Sequence, residues 1–330
     1  MTIAGQQKNH ESAAGHVSGK AVYTDDQRQF AGMVSLYPVL SPHAKARILR
    51  VDLAAAEQVP GVVTILTPAD IPGANETGVI LHDEPLLPTD EVSYWGQVVV
   101  WVVGETEEAA RQGAEKVFVE YEPLPPVLTI QQAIAAGSFH PTLGNRAHLR
   151  GEPATSTTAT TGPDFEATLA QVCRRGDPEA AFATADQVLT GELEMNGQDH
   201  FYLETQTSWA IPDAEGNYQV YASTQHPTET QIIVARVLGI PSNQVVVTCL
   251  RMGGAFGGKE SQANPMAAAA ALAAHKTGRP ARVRLRLFGA VQSRLYQRGA
   301  TPGPGYDLVL RWWLEYGFVA SGATAGHAPC

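Results

Sequence analysis

Cysteine is scarce in this chain: Cys173, Cys249 and Cys330 stand alone among 330 residues, and no CxxC pair occurs. Disulfide scaffolds and structural zinc sites need paired or clustered thiols, so neither is expected. An iron–sulfur cluster takes about four closely spaced cysteines. Any redox chemistry would therefore draw its electron carriers from elsewhere. Basic residues are also the minority, 23 against 33 acidic side chains, for a net charge of −10. Nucleic acids and anionic membrane surfaces select clustered Lys and Arg, so no nucleic acid and no membrane partner is expected. No apolar run approaches the roughly 20 residues of a membrane span, and Met1–His10 lacks the apolar stretch of a signal peptide. A reduced, cytoplasmic protein is the expectation.

What is present is an ordinary globular composition, 44% hydrophobic and 17% charged, with length for about two domains. Between Ala31 and Tyr121 the pattern is mixed α/β. Arg47–Val51 reads as a strand, Leu53–Gln58 as a short helix, Pro60-Gly61 as a turn and Val62–Leu66 as a β-branched buried strand. Gln97–Val103 is a near-continuous apolar strand, and Thr106 is placed to cap a helix over Glu107–Lys116. A strand at Val117–Tyr121 follows and Pro123 stops it, which suggests a βαβ unit. The small polar tract Ala154–Thr161 reads as a surface linker. Beyond it come a helix over Pro178–Asp186, strands near Val188–Met195, Ser208–Ile211 and Tyr218–Ser223, and a helix over Thr228–Leu238 closed by Gly239.

The densest signal is Gln244–Ala274: an apolar strand, the loop Arg251-Met252-Gly253-Gly254-Ala255-Phe256-Gly257-Gly258-Lys259-Glu260, then the Ala-rich helix Pro265–Ala274. Glycines let backbone N–H groups turn toward a ligand, and a helix N-terminus adds positive potential. Gly253 and Gly258-Lys259 satisfy most of the phosphate-loop pattern GxxxxGK[ST]. Glu260, however, stands where a hydroxyl should bind magnesium, and a carboxylate there repels phosphate. A nucleotide triphosphatase is disfavoured on that ground, and the dinucleotide pattern GxGxxG is absent from the loop.

Three spaced motifs carry a resemblance: Gly197-Gln198-Asp199-His200-Phe201-Tyr202-Leu203-Glu204-Thr205, Ser223-Thr224-Gln225-His226-Pro227, and Arg251 to Glu260. In this order and spacing the chain resembles the molybdenum-binding subunit of bacterial xanthine dehydrogenases. Gly15-His16-Val17-Ser18-Gly19-Lys20-Ala21, Asp83-Glu84-Pro85, Gly96-Gln97 and Glu105-Thr106 fit the same family. The resemblance implies an α+β fold, an α/β hammerhead domain over 1–130, a linker over 131–165 and an incomplete molybdopterin-binding domain over 166–286. It also implies oxidative hydroxylation of hypoxanthine or xanthine to urate, with water as the oxygen source. The cofactor would be molybdenum-molybdopterin. Electrons would leave through a partner subunit that carries 2Fe-2S clusters and FAD, with NAD as acceptor, in agreement with the cysteine count.

By the same resemblance, Gln225 is the glutamine whose amide approaches an oxygen of the molybdenum centre. Phe256 and Gly257 form the loop that packs over the metal and offers a backbone N–H. Glu260 is the carboxylate that hydrogen-bonds the purine ring and stabilises charge developing in the attack. A partly buried carboxyl with a raised pKa suits that task. Related aldehyde oxidases carry an apolar residue there, so Glu260 favours a purine. His200 and Glu204 lie four apart, but Phe201 and Tyr202 between them suggest a structural segment packed beneath the site. Ala255 replaces a family glycine, which is harmless if its φ is negative.

The match stops near residue 286. Residues 288–330 contain no Lys, only Asp307 and Glu315 as acids, and the pair Trp312-Trp313. A reading-frame shift near codon 286 is the expectation, with an aberrant, disordered tail over 287–330; the alternative is a natural short variant with a divergent tail. The family's general base falls outside the chain, so this chain alone is expected to be inactive. The alternatives are a related molybdenum hydroxylase for aldehydes or other N-heterocycles, and a non-catalytic fragment that only binds the partner subunit.

Overall fold

The computed structural model describes residues 8–26, 30–79, 82–137, 177–189, 191 and 200–286. In chain order the elements are helix α1 (Ala13–Val17), strands β1 (Val34–Leu40) and β2 (Ala46–Asp52), α2 (Ala54–Glu57), β3 (Val62–Leu66), β4 (Glu91–Val92), β5 (Val98–Gly104), α3 (Glu107–Ala114) and β6 (Phe118–Pro123). They continue with α4 (Ile130–Ala136), α5 (Pro178–Thr184), β7 (Thr207–Pro212), β8 (Tyr218–Ala222), α6 (Pro227–Leu238), β9 (Val245–Thr248), α7 (Ala263–Thr277) and β10 (Ala281–Arg284). The mixture of helix and sheet is the α+β fold expected. The 287–330 tail and the Ala154–Thr161 tract lie outside the described residues. So do residues 192–195 of the strand expected near Val188–Met195, while residues 187–189 carry no strand.

The described residues fall into two compact units. One holds residues 8–126 with 200–286, the other residues 127–191. In the second, α4 is closed at its start by reciprocal hydrogen bonds between Thr129 and Gln132 and at its end by left-handed Gly137, and Asp177 caps α5. The first unit carries a seven-stranded sheet of order β3-β5-β1-β10-β7-β8-β9 and a three-stranded sheet of order β4-β2-β6. Strands from both sequence segments meet in the large sheet, where β1 runs parallel to β10 with Val34 opposite Ala281.

Why β5 is apolar throughout is clear from its two faces. Trp101 and Val103 enter one core with α6 and α7, while Val100 and Val102 enter a second core with Ala46, Ile65 and Val92. A strand covered on both sides reads as a continuous apolar run. The expected βαβ unit is not formed. Thr106 caps α3 as expected, its hydroxyl accepting from the Ala109 N–H at 3.1 Å. The strand after α3, however, leaves β5's sheet and pairs antiparallel with β2. Its residues Phe118, Glu120 and Glu122 are exposed. Such a strand suits the edge of a small sheet rather than a doubly covered one.

Helix α7 lies against the large sheet with Ala267 to Ala271 fully buried. Small side chains let its backbone approach the strands closely. Its last turn also holds the far edge of the sheet. Lys276 Nζ donates to Asp70 Oδ1 at 2.6 Å and to the Ile65 carbonyl at 3.0 Å, while Asp70 Oδ2 accepts from the Thr67 N–H and hydroxyl. Burial opposes ionisation of Asp70, but the bonds from Lys276 and Thr67 outweigh it and hold its carboxyl below the usual value. The stabilisation from a depressed carboxylate is complete above the unfolded-state pKa of about 3.9 and is lost as pH falls through the lower folded value. Urea unfolding from pH 7 to pH 3 should show this loss only below about pH 4. Asp70→Asn should remove that part of the pH slope, about 1 kcal/mol at most for a half-exposed pair.

Candidate functional site

Three segments converge at the C-terminal end of β8 and the start of α7: residues 200–206, 223–226 and 251–260. The loop 251–260 turns through positive φ at Gly254 (+94°), Phe256 (+52°) and Gly257 (+90°), but not at Ala255. The condition for tolerating Ala255 therefore holds. Gly253 and Gly258 are needed for a different reason, close approach. A Cβ on Gly253 would lie 2.4 Å from Glu204 Cβ, and one on Gly258 would lie 2.6 Å from Tyr202 Cε1. Tyr202, 1% exposed, does pack beneath the loop, and its hydroxyl donates to the Gly258 carbonyl at 3.2 Å. Phe201 does not: it is 58% exposed and left-handed at φ +46°.

The loop is tied to Gln225 in both directions. The Gln225 N–H donates to the Lys259 carbonyl at 2.9 Å, and Gln225 Oε1 accepts from the N–H groups of Gly257 at 3.0 Å and Lys259 at 3.3 Å. With the carbonyl end fully engaged, the side-chain NH2 is the amide's remaining donor, and it has no partner among the described residues. Within the loop expected to offer a backbone N–H, that of Gly257 is engaged by Gln225 Oε1. The Phe256 N–H, like those of Gly254 and Ala255, has no partner among the described residues. Phe256 itself is 75% exposed in a conformation that a bulky side chain rarely adopts. Such strain persists where the surroundings enforce it, and it collects at ligand clamps.

Glu260 sits at the end of the loop and is exposed, rather than partly buried as expected. The loop turns it outward, whereas the neighbouring Lys259 points in. Lys259 is fully buried, its Nζ donating to Ser223 Oγ at 2.7 Å and to Glu204 Oε2 at 3.0 Å. It stands 4.7 Å over the Tyr202 ring. Glu204 Oε2 also accepts from the Gly253 N–H at 2.9 Å and from the Ser223 hydroxyl. A lysine so engaged cannot reach a phosphate, which disposes of the phosphate-loop pattern on geometry. Glu204 is likewise an ion-pair partner, and no cluster of three or more potential metal ligands occurs among the described residues. Burial pushes the Cys249 thiol up, away from a reactive thiolate.

Spacing did not show this Lys259–Glu204 pair. The available signal was a lysine set among glycines and followed by an acid, a residue the phosphate reading could not use.

Two family models match the chain: "Aldehyde oxidase and xanthine dehydrogenase, a/b hammerhead domain" over residues 18–125, and "Molybdopterin cofactor-binding domain" over residues 162–294. The second extends a few residues beyond the point where the motif resemblance stops. Among curated relatives, a xanthine dehydrogenase/oxidase of Mus musculus is 39% identical over 86% of this chain and 19% of its own length. An aldehyde oxidase 3 of Rattus norvegicus is 37% identical over 83% of this chain and 18% of its own. In fold, the chain is similar to the aldehyde oxidoreductase of Desulfovibrio gigas, with a TM-score of 0.68, 24% identity, and coverage of 87% of this chain and 30% of that one. The chain thus spans about a fifth of the length of the curated relatives it matches. Matched by both domain models and by these relatives, the chain is a partial xanthine dehydrogenase-like protein made of the hammerhead domain and the start of the molybdopterin-binding domain.

Proposed function

We propose that this chain supplies one wall of the active site of a purine hydroxylase, with Gln225 and the Phe256–Gly257 turn facing molybdenum-molybdopterin and Glu260 facing hypoxanthine or xanthine. The observation that carries the reading is the Gln225 amide. Its oxygen is held by two loop N–H groups, so its NH2 is oriented for an external acceptor. The residues fit the cofactor: that NH2 and the Phe256 N–H are donors without partners among the described residues, and around Gly257 the nearest atom to an added Cβ is 3.7 Å away. When bound, the molybdenum centre supplies two-electron oxidation and a water-derived oxygen.

This chain's own groups orient and stabilise. Gln225 donates a hydrogen bond to the cofactor, Phe256 covers it and excludes water, and Glu260 hydrogen-bonds a ring nitrogen as charge develops. Electrons would pass to a partner subunit with 2Fe-2S clusters and FAD, and on to NAD. Identity of 39% to a xanthine dehydrogenase and 37% to an aldehyde oxidase separates the substrate classes little. The acid at Glu260 is what favours a purine.

Purified alone, the chain is expected to hold no stoichiometric molybdenum. Joined to the remaining length that its relatives possess, it is expected to hold one molybdenum per chain and to hydroxylate hypoxanthine or xanthine with oxygen from water. Elemental analysis and labelled-water turnover read both results. A joined, molybdenum-loaded protein that acts on neither purine would overturn the reading. Stoichiometric molybdenum on the chain alone would overturn the division of the site.

A further inference from the structure

The most heavily committed polar group beneath the loop has no assigned role in the reaction. Lys259 is fully buried, and its ammonium bonds Ser223 and Glu204. Glu204 is itself about nine-tenths buried. Its Oε2 gathers Lys259, Ser223 and the Gly253 N–H, while Oε1 is buried without a hydrogen-bond partner among the described residues. Leaving one carboxylate oxygen unpaired in a buried place is costly. That a charged pair is kept there points to a task other than stability, since a buried pair is often no better than apolar residues of similar volume.

Connectivity identifies the task. Glu204 fixes the start of the loop twice, by its carboxylate to the Gly253 N–H and by its own N–H to the Gly253 carbonyl. Lys259 fixes the end of the loop, and its backbone carbonyl and N–H are two of the three groups that bind Gln225, the Gly257 N–H being the third. The ion pair therefore closes a ring from Gly253 through Glu204 and Lys259 and back along the loop, and Gln225 is bonded to that ring at Gly257 and Lys259. Between the two fixed ends the chain must pass through three positive-φ residues, Gly254, Phe256 and Gly257.

We propose that Lys259, through its buried pair with Glu204, is a positioning residue: it holds the two ends of the glycine loop together so that Gly257 and Lys259 N–H groups face Gln225 Oε1 and the Gln225 NH2 is presented outward. That this presentation serves a cofactor rests on the proposed function; the positioning itself does not.

The test is amide hydrogen exchange on the full chain without cofactor, comparing wild type with the double variant Glu204→Gln/Lys259→Met. The double variant removes both charges together and avoids leaving one charge buried alone. The expected result is at least tenfold faster exchange at the amides of Gly257 and position 259, while core amides such as Val220 and Val234 keep wild-type rates. A pair that only stabilises the fold would leave the two loop amides and the core amides moving together. Unchanged exchange at Gly257 in the folded double variant overturns the proposal.

If the double variant does not fold, Ser223→Ala removes only the hydroxyl that bridges the pair, and a few-fold rise confined to the same amides is expected. Equal rates there likewise overturn it. Because no cofactor takes part, faster loop exchange in a protein whose joined form fails to bind molybdenum would uphold the positioning and sink only the functional reading.

Discussion

Replacing Lys259 by Met alone is expected to cost about 3–5 kcal/mol of folding stability, the range found when one partner of a buried ion pair is removed. The size follows from what remains. Glu204 would stay about nine-tenths buried without its ion-pair partner, one oxygen already without a hydrogen-bond partner among the described residues and the other reduced to Ser223 and the Gly253 N–H. Taking Glu204 to Gln in the same chain should recover most of that loss, because the uncompensated charge is gone and the amide can still accept from Gly253. The difference between single and double variants is the coupling of a two-residue cycle. Urea midpoints of wild type, both single variants and the double variant measure it. A single Lys259→Met variant within about 1 kcal/mol of wild type would mean that water reaches Glu204 and that the pair is not buried as described.

How much of this could be read from the sequence depends on how local each feature is. β3 runs over Val62–Leu66, as its β-branched run indicated, and the Thr106 cap and Gly239 terminus stand where the side-chain chemistry placed them. These are decisions among neighbours in sequence. Sheet membership is not. β6 follows α3 directly, yet its partner β2 lies some seventy positions upstream, with Arg47 opposite Glu122. Only the alternation of exposed Phe118, Glu120 and Glu122 hinted that it would not join the covered sheet.

The glycine loop shows the same division. Its strand-to-helix setting was legible, and Gln225 could be singled out by resemblance. The direction of Lys259 was set by Glu204, 55 positions away, and no spacing rule reports that. Nor could sequence show that Gly257 would give its N–H to Gln225, since the same residue could as well have offered it outward. Of the neighbouring pair Phe201-Tyr202, only burial separates the tyrosine beneath the loop from the exposed phenylalanine.

Exposure also shapes what to expect of Glu260. In the joined, molybdenum-loaded protein, Glu260→Ala should lower kcat/KM for hypoxanthine or xanthine by about 10²–10³-fold, the usual loss when one group that stabilises developing charge is removed. Glu260 is exposed, outside the buried network around Lys259, and makes no side-chain hydrogen bond among the described residues. Its removal should therefore leave folding and the urea midpoint unchanged, which separates a loss of chemistry from a loss of structure. Turnover of an aldehyde by the same variant should change little, because an aldehyde offers no ring nitrogen for the carboxyl to bond. Equal losses on both substrates would assign Glu260 to the general architecture of the loop. No loss on the purine would remove the residue on which the proposed purine reading rests, and the aldehyde reading would then stand in its place.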